Sequence, residues 1–388
     1  MLKKGILGIV LAVLLLSMLV EVNMPNVQPA KAWTGTVYIR ADGSIDPLDA
    51  PITTYDNITY RLTDNITSIG DGIVIEKDNM VLDGAGYTIQ GQNGGHHNGI
   101  NLTGRNNITI KNINIQNYSY GIYLNNSYSN ILSGNKITNG RFGIFLEYSH
   151  NNTFIRNKIT ENLLGIRLFS SLNNIISRNS ITKNNAIGIG LYSSLNNTVF
   201  GNNITQNKDF GIFLMNSLNN TISGNNIENS TQVGIELNFS PNNVMSGNNI
   251  THNGFGIRFF YSLNNTISGN HFVGDGLVHD YGNVVLDNFV NGKPLVYLEE
   301  VSNVTVEDAG QVILINCTGI IIKNLTLTNT DIAVDLMRTK NTTISGSNIT
   351  QNDWYGIFMV ESSNNTVIGN NIAENDWYGI YLYNSSNN

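Results

Sequence analysis

Apolar and polar residues alternate in short bursts along most of this chain, and the bursts recur in a fixed order. A Gly-Ile-x-Leu piece is followed by Asn-Thr-Ile and then by Asn-x-Ile-Thr. Gly256-Ile257-Arg258-Phe259 and Asn264-Asn265-Thr266-Ile267-Ser268-Gly269-Asn270 give the fullest form, with Asn249-Ile250-Thr251 before them. The Gly-Ile pair returns at Gly99, Gly121, Gly143, Gly165, Gly188, Gly211, Gly234 and Gly256, and again at Gly356 and Gly379. Apart from that one gap, the steps are 22 or 23 residues. A fixed period of this size means a solenoid. No burst exceeds about five residues, the usual strand length and too short for a helix. The bursts are rich in β-branched residues and separated by Asn, Ser and Gly, as strands are. Leucine-rich repeats share the period but need a longer Leu frame and a helical leg, and neither is found. The expected fold is all-β: a right-handed, single-stranded parallel β-helix with three short strands per coil. Ile122, Leu124, Ile144, Leu146, Ile166, Leu168, Ile212 and Leu214 should point inward and stack coil on coil.

Asn recurs at the corners, at Asn151, Asn152, Asn174, Asn197, Asn220, Asn243 and Asn265. A stacked Asn can hydrogen-bond its copies above and below, and Asn tolerates the left-handed backbone of a tight corner. The Asn richness therefore reads as architecture. It also creates Asn-x-Ser/Thr sequons such as Asn57, Asn107, Asn203 and Asn348, most of them by-products of the repeat.

Residues 1–32 read as a signal peptide. Lys3 and Lys4 precede an apolar run, Ile6 to Val20, and Ala30-Lys31-Ala32 offers cleavage after Ala32. An uncleaved anchor is the alternative, against which the run is short. The mature chain is thus expected to be secreted, periplasmic or at the cell surface, with membrane contact only through this segment or a C-terminal anchor outside the sequence. Residues 33–70 should cap the first coil and 71–388 form the β-helix. From 274 to 330 the Asn signature fades and acidic residues gather; wider or looped coils are expected there. The sequence ends at Asn387-Asn388, where the next strand would begin, so truncation within a repeat is expected.

Cys317 is the only cysteine, which excludes an intrachain disulfide. The net charge of −7 argues against nucleic acid as a partner, since phosphate binding needs a basic surface.

Leu82-Asp83-Gly84-Ala85-Gly86-Tyr87-Thr88-Ile89 and the following repeat resemble the NosD-type, carbohydrate-binding-and-sugar-hydrolase β-helix family. Val290-Asn291-Gly292-Lys293-Pro294-Leu295-Val296-Tyr297-Leu298-Glu299 and Ala309-Gly310-Gln311-Val312-Ile313-Leu314 resemble its archaeal branch. The resemblance spans nearly all of residues 60–388. It implies the β-helix and, for some members, a periplasmic role in maturing a copper site. Many members keep the β-helix alone, and the repeat itself carries scaffold residues.

Three chemistries are open to such a chain. Copper would need clustered His, Met or Cys. The methionines are scattered, and the metal candidates are His96 and His97 with His271 and His279. Polysaccharide cleavage on this fold, by resemblance to pectin hydrolases, would use Asn-Thr-Asp, Asp-Asp, His-Gly and Arg-Ile-Lys. Only Asn329-Thr330-Asp331 is present, and its register is that of an ordinary corner. A carboxylate group in the acidic stretch offers catalytic candidates instead: Asp275, Asp280, Asp287, Glu299 and Glu300, with Glu307 and Asp308 nearby. Paired carboxylates are the minimum for glycoside hydrolysis, and their oxygens also suit calcium. The plainer reading is a solvated irregular insertion.

Binding is the third. The x of Gly-Ile-x-Leu points outward. It reads Tyr123, Phe145, Arg167, Gly190, Phe213, Glu236 and Arg258, then Phe358 and Tyr381. The aromatic and Arg members form the candidate ligand-binding ladder, with rungs about 4.8 Å apart. Exposed aromatic tracks mark interaction surfaces and suit sugar rings. Self-stacking or burial is the alternative. The expected function is an exported β-helix protein binding a polysaccharide or glycan. A hydrolase or lyase using the 275–308 carboxylates, and a copper-handling accessory protein, are the alternatives.

Overall fold

The computed structural model describes residues 33–92, 95–278 and 281–388. The expected signal peptide lies outside them. The described residues contain strands and turns and no helix. Nearly all strand pairs are parallel between successive coils, and the solenoid has about 15 turns of about 22 residues. In the regular part each coil contributes one strand to each of three sheets. Phe142–Glu147, Thr153–Ile155 and Lys158–Thr160 make one such coil.

Period-two alternation explains the core. Ile122, Ile144, Ile166, Ile189 and Ile212 pair in register down the first sheet, and all are fully buried. The Gly before each Ile also faces inward. A Cβ on Gly143 would stand 2.6 Å from the carbonyl oxygen of Gly165, so only Gly lets these coils close up.

Corner Asn pairs divide the work. In Asn151-Asn152 the first residue takes φ 57° and is exposed, while the second is fully buried. Asn173-Asn174 and Asn219-Asn220 repeat this split. The buried members form ladders. Asn157, Asn179, Asn202 and Asn225 each donate backbone N–H and side-chain Nδ2 to the Oδ1 one coil on. The same Nδ2 also donates to a carbonyl one coil back, as Asn179 does to Phe154 at 3.0 Å. A Ser ladder, Ser127 to Ser262, lines another corner. These side chains satisfy corner amides that no sheet partner reaches.

At the N-terminal end the hairpins Val37–Ile39 with Ile45–Asp46, and Ile52–Thr54 with Thr59–Leu62, add antiparallel strands. Where wider or looped coils are expected from the sequence, the coils first shorten and then loop back on themselves. Asn265 and Asn270 pair with Asn283 and Asn288, a step of 18 residues. Phe289–Val290 then turns through Asn291-Gly292 into Lys293–Glu299, an antiparallel pair. Regular coils resume in a second stack from Gln311–Ile315 onward. The buried apolar side chains accordingly fall into two clusters. Ile313, Ile315, Tyr297 and Met337 of the second stack pack against the core of the first.

Asn179→Ala would strip partners from Asn157 and the Phe154 carbonyl. It should cost roughly 2–4 kcal/mol, read as a lowered melting temperature. Asn226→Ala, which removes the exposed bonds to Asn203 and from Asn249, should cost less than about 1 kcal/mol. Equal effects would deny the buried ladders their role.

Candidate functional site

Two regions carry side-chain chemistry: the outward face of the Gly-Ile sheet, and the elbow where the second stack meets the first.

On the sheet, Tyr123, Phe145 and Arg167 pair in register and face outward, as alternation requires. The residue before each Gly also faces out, which the sequence reading missed. Tyr120 stacks on Phe142 at 5.3 Å, and Phe142 lies 5.1 Å from Phe145. Tyr123 lies 5.7 Å from Phe145 and donates its hydroxyl to Glu147 at 2.8 Å. Burial, and then Glu147, raise the Tyr123 pKa. Arg167 rests over Phe142, Phe145 and Tyr192.

The ladder is less open than expected. Rungs at strand spacing cover one another, so Tyr123, Phe145 and Arg167 are half-buried, and Phe213 is only 9% exposed. Arg258 is held by Glu236 through Nε at 2.9 Å and Nη2 at 2.5 Å. In the second stack Phe358 and Tyr381 stack at 5.8 Å with Tyr355 beside them and remain half-exposed. The same outward column begins there with Ile313 and Asp335, which are buried.

The elbow gathers three carboxyl groups from distant positions. Asp275 occupies the ladder position after Asn253, which donates its backbone N–H and Nδ2 to the two carboxyl oxygens at 2.8 Å each. Asp331 accepts N–H bonds from Gly256 and Gly276, both at 3.0 Å, and its Oδ1 has no hydrogen-bond partner. Thr330 donates its hydroxyl to the Asp275 carbonyl at 3.2 Å. Gln311 acts as a substitute peptide group: its Oε1 accepts from Leu277 N–H, and its Nε2 donates to the Leu277 and Ile332 carbonyls. Phe255 meets Trp354 edge-on at 4.4 Å. A cavity of about 550 Å³ opens beside this clamp, lined by His252, Asn253, Val273, Gly274, Asn291, Asn329 and Asp353.

Asn329-Thr330-Asp331 is therefore no ordinary corner; it bridges the two stacks. Of the expected carboxylates among the described residues, only Asp275 joins this cluster. Asp287 and Glu300 are exposed turn residues at positive φ, and Glu299 accepts a bond from Tyr297 at 2.8 Å. Asp280 and His279 lie outside the described residues. The sequence reading takes Asn329-Thr330-Asp331 for an ordinary corner and does not bring Asp331, Asp353 and His252 together, because long-range folding alone joins them. The one local signal was Asp275 standing where the ladder calls for Asn.

Burial raises the Asp275 pKa first, and the charge of Asp331 adds to it. Burial also raises Asp331; the Gly256 and Gly276 N–H groups pull it down without offsetting this. Asp353 is raised by burial and by Asp376, with His252 opposing.

The family model described as periplasmic copper-binding protein (NosD) matches residues 52–237. That described as right handed beta helix region matches residues 196–294 and 297–388. No curated protein matches the chain. Among solved structures it is similar to the periplasmic alginate epimerase AlgG, at 16% identity over 62% of this chain and 80% of that one, with a TM-score of 0.44. The A-module of Azotobacter vinelandii mannuronan C-5 epimerase AlgE4 is 14% identical over 92% and 89%, with a TM-score of 0.46. Pectate lyase Pel9A is 16% identical over 64% and 70%, with a TM-score of 0.41.

The described residues do not fit a copper site. No three His, Cys, Asp or Glu side chains are grouped to hold a metal ion. His96 is exposed, His97 stands 3.8 Å from Asp71, and His271 stacks on Phe289. The Cys317 thiol is buried and donates to backbone carbonyls.

The elbow pair sets a pH dependence. A folded-state carboxyl with a raised pKa binds its proton more tightly than the unfolded chain, where Asp titrates near about 3.9. Its stabilisation is complete below that value and is lost as pH rises through the folded pKa. Melting temperature should therefore fall between pH 5 and pH 8. In Asp275→Asn one amide oxygen can accept both Asn253 donors, as Asn184 does for Asn162. This variant should melt several degrees above the parent at pH 8 and close to it at pH 5. Parallel pH profiles for the two proteins would overturn the assignment.

Proposed function

We propose that this NosD-like parallel β-helix repeat protein is exported and binds polysaccharide along the outward face of its Gly-Ile sheet. The observation that carries this reading is the aromatic patch of Tyr120, Tyr123, Phe142 and Phe145. Its rings stack at 5.1–5.7 Å on a rigid sheet, and Tyr123 and Phe145 are left half-exposed. Apolar ring faces beside polar groups match the C–H faces and hydroxyls of a pyranose. A column of aligned rungs running from coil to coil suits a polymer better than a single sugar. Tyr355, Phe358 and Tyr381 repeat the arrangement on the second stack. Export rests on the N-terminal Lys-apolar-Ala pattern and on the periplasmic description of the matched family.

A second reading is supported by the elbow. A half-buried Asp353 with a raised pKa lines the same cavity as His252. An acid and a base in one cleft are the elements of glycan cleavage. In this reading the protein is a polysaccharide-active enzyme, and Asp353→Asn abolishes its activity.

Native electrophoresis through gels containing different polysaccharides separates these readings. Binding predicts retardation of the parent. Tyr123→Ala with Phe145→Ala should weaken it by about tenfold, each ring contributing about 0.5–1.5 kcal/mol. Cleared polymer around the parent band, absent with Asp353→Asn, would favour the enzyme. Unchanged mobility in every gel would overturn the binding proposal.

A further inference from the structure

We infer that the patch around Arg167 selects an anionic polysaccharide, one whose pyranose rings carry carboxylate or sulfate groups. The inference rests on the sheet-face reading above and specifies its ligand.

Arg167 is built into its place. Phe142 and Phe145, one coil before it, lie 5.5 and 5.4 Å from its guanidinium carbon, and Tyr192, one coil after, lies at 4.7 Å. The Tyr192 ring reaches this position because Gly190 stands next in the outward column. A Cβ there would come within 2.8 Å of Tyr192 Cε2. Three rings thus fix the plane of a guanidinium whose own partners are missing. Its Nε is buried without a hydrogen-bond acceptor, and no carboxylate lies within ion-pair distance among the described residues.

Arg258, in the same column, makes the contrast. Glu236 neutralises it with two N–H bonds to a single carboxylate oxygen. Glu147, the acidic residue of the aromatic patch, is taken by the Tyr123 hydroxyl of the preceding coil, whereas Arg167 stands on the following coil. Arg141, exposed and 5.3 Å from the Phe142 ring, adds a second guanidinium. Two arginines therefore face one carboxylate, on a chain of net charge −7. A locally positive spot on an acidic protein has a purpose when the ligand is an anion. Arg presents the planar donor set that carboxylates and sulfates accept. Aromatic rings beside it supply the sugar contact, so the pair of features fits an acidic sugar better than a bare anion.

The test uses affinity gels containing polygalacturonate, dextran sulfate, hydroxyethyl cellulose, neutral dextran or poly(U). Circular dichroism checks that every variant stays folded. The parent should be retarded by polygalacturonate or dextran sulfate at roughly one tenth of the concentration needed with the uncharged polymers. Arg167→Gln should lose roughly that factor for the acidic polymer and change less than about twofold for the neutral ones. Arg167→Lys should recover part of the loss, because it keeps the charge but not the planar fork. Stronger retention by polygalacturonate than by dextran sulfate assigns carboxylate as the recognised group, and the reverse assigns sulfate. Equal retention by acidic and neutral polymers overturns the inference while leaving polysaccharide binding intact. Equal loss of both in a folded Arg167→Gln does the same. Retention by poly(U) matching that by the acidic polysaccharides would make the site a general polyanion surface and overturn it too. Retention by none of the polymers removes both this inference and the reading beneath it.

Discussion

Through the regular coils of the first stack, each turn is tied to the next by buried amide side chains, and that tie fixes the rest. An Asn in the ladder gives two protons to the oxygen one coil on and one to a carbonyl one coil back. The bonds form only if successive coils place Asn at the same corner, which the regular coils do every 22 or 23 residues and the shortened coil does after 18. The inward Ile columns follow, because strands entered from a fixed corner alternate from a fixed start. The outward columns follow for the same reason, and a chance row of surface residues becomes an aligned row. An amide ladder also has a direction: it accepts on one side and donates on the other. Asp275 accepts from Asn253 with both oxygens but carries no side-chain amide to continue the ladder. The first stack ends near the residue that ends its ladder.

Much of this was legible in the amino-acid order. Period two marked Ile122, Ile144 and Ile166 as inward, and all are buried. The Asn pairs marked the corners, although the division between an exposed left-handed Asn151 and a buried Asn152 was visible only once folded. Outward direction could be read for Tyr123, Phe145 and Phe213, but their openness could not. Coverage depends on which way each ring leans across its neighbours, and pattern does not record that. Phe213 is covered for this reason.

The elbow was the least legible part, because its contacts ignore the repeat. Asp331 reaches Gly256 across 75 residues. Gln311 stands in for a peptide group that the shortened coils no longer supply. Gln311 has ordinary sequence neighbours, and Asn329-Thr330-Asp331 drew notice only as a motif at a corner, so nothing local pointed either residue at the first stack. The acidic stretch drew attention through composition, yet Asp287, Glu299 and Glu300 go separate ways. Composition reports how many charges a segment holds, and only the path of the chain decides which of them meet.

The divided core has an energetic meaning. Two apolar clusters that meet through Ile313, Ile315, Tyr297 and Met337 and through the polar bonds of the elbow form two units in series. In a linear array each unit gains from its neighbour only what their interface supplies, and here that interface combines this apolar packing with Asp275, Asp331 and Gln311. The second stack can therefore open while the first stays closed, and the elbow acts as a domain wall that stops unravelling at one end from running the length of the molecule.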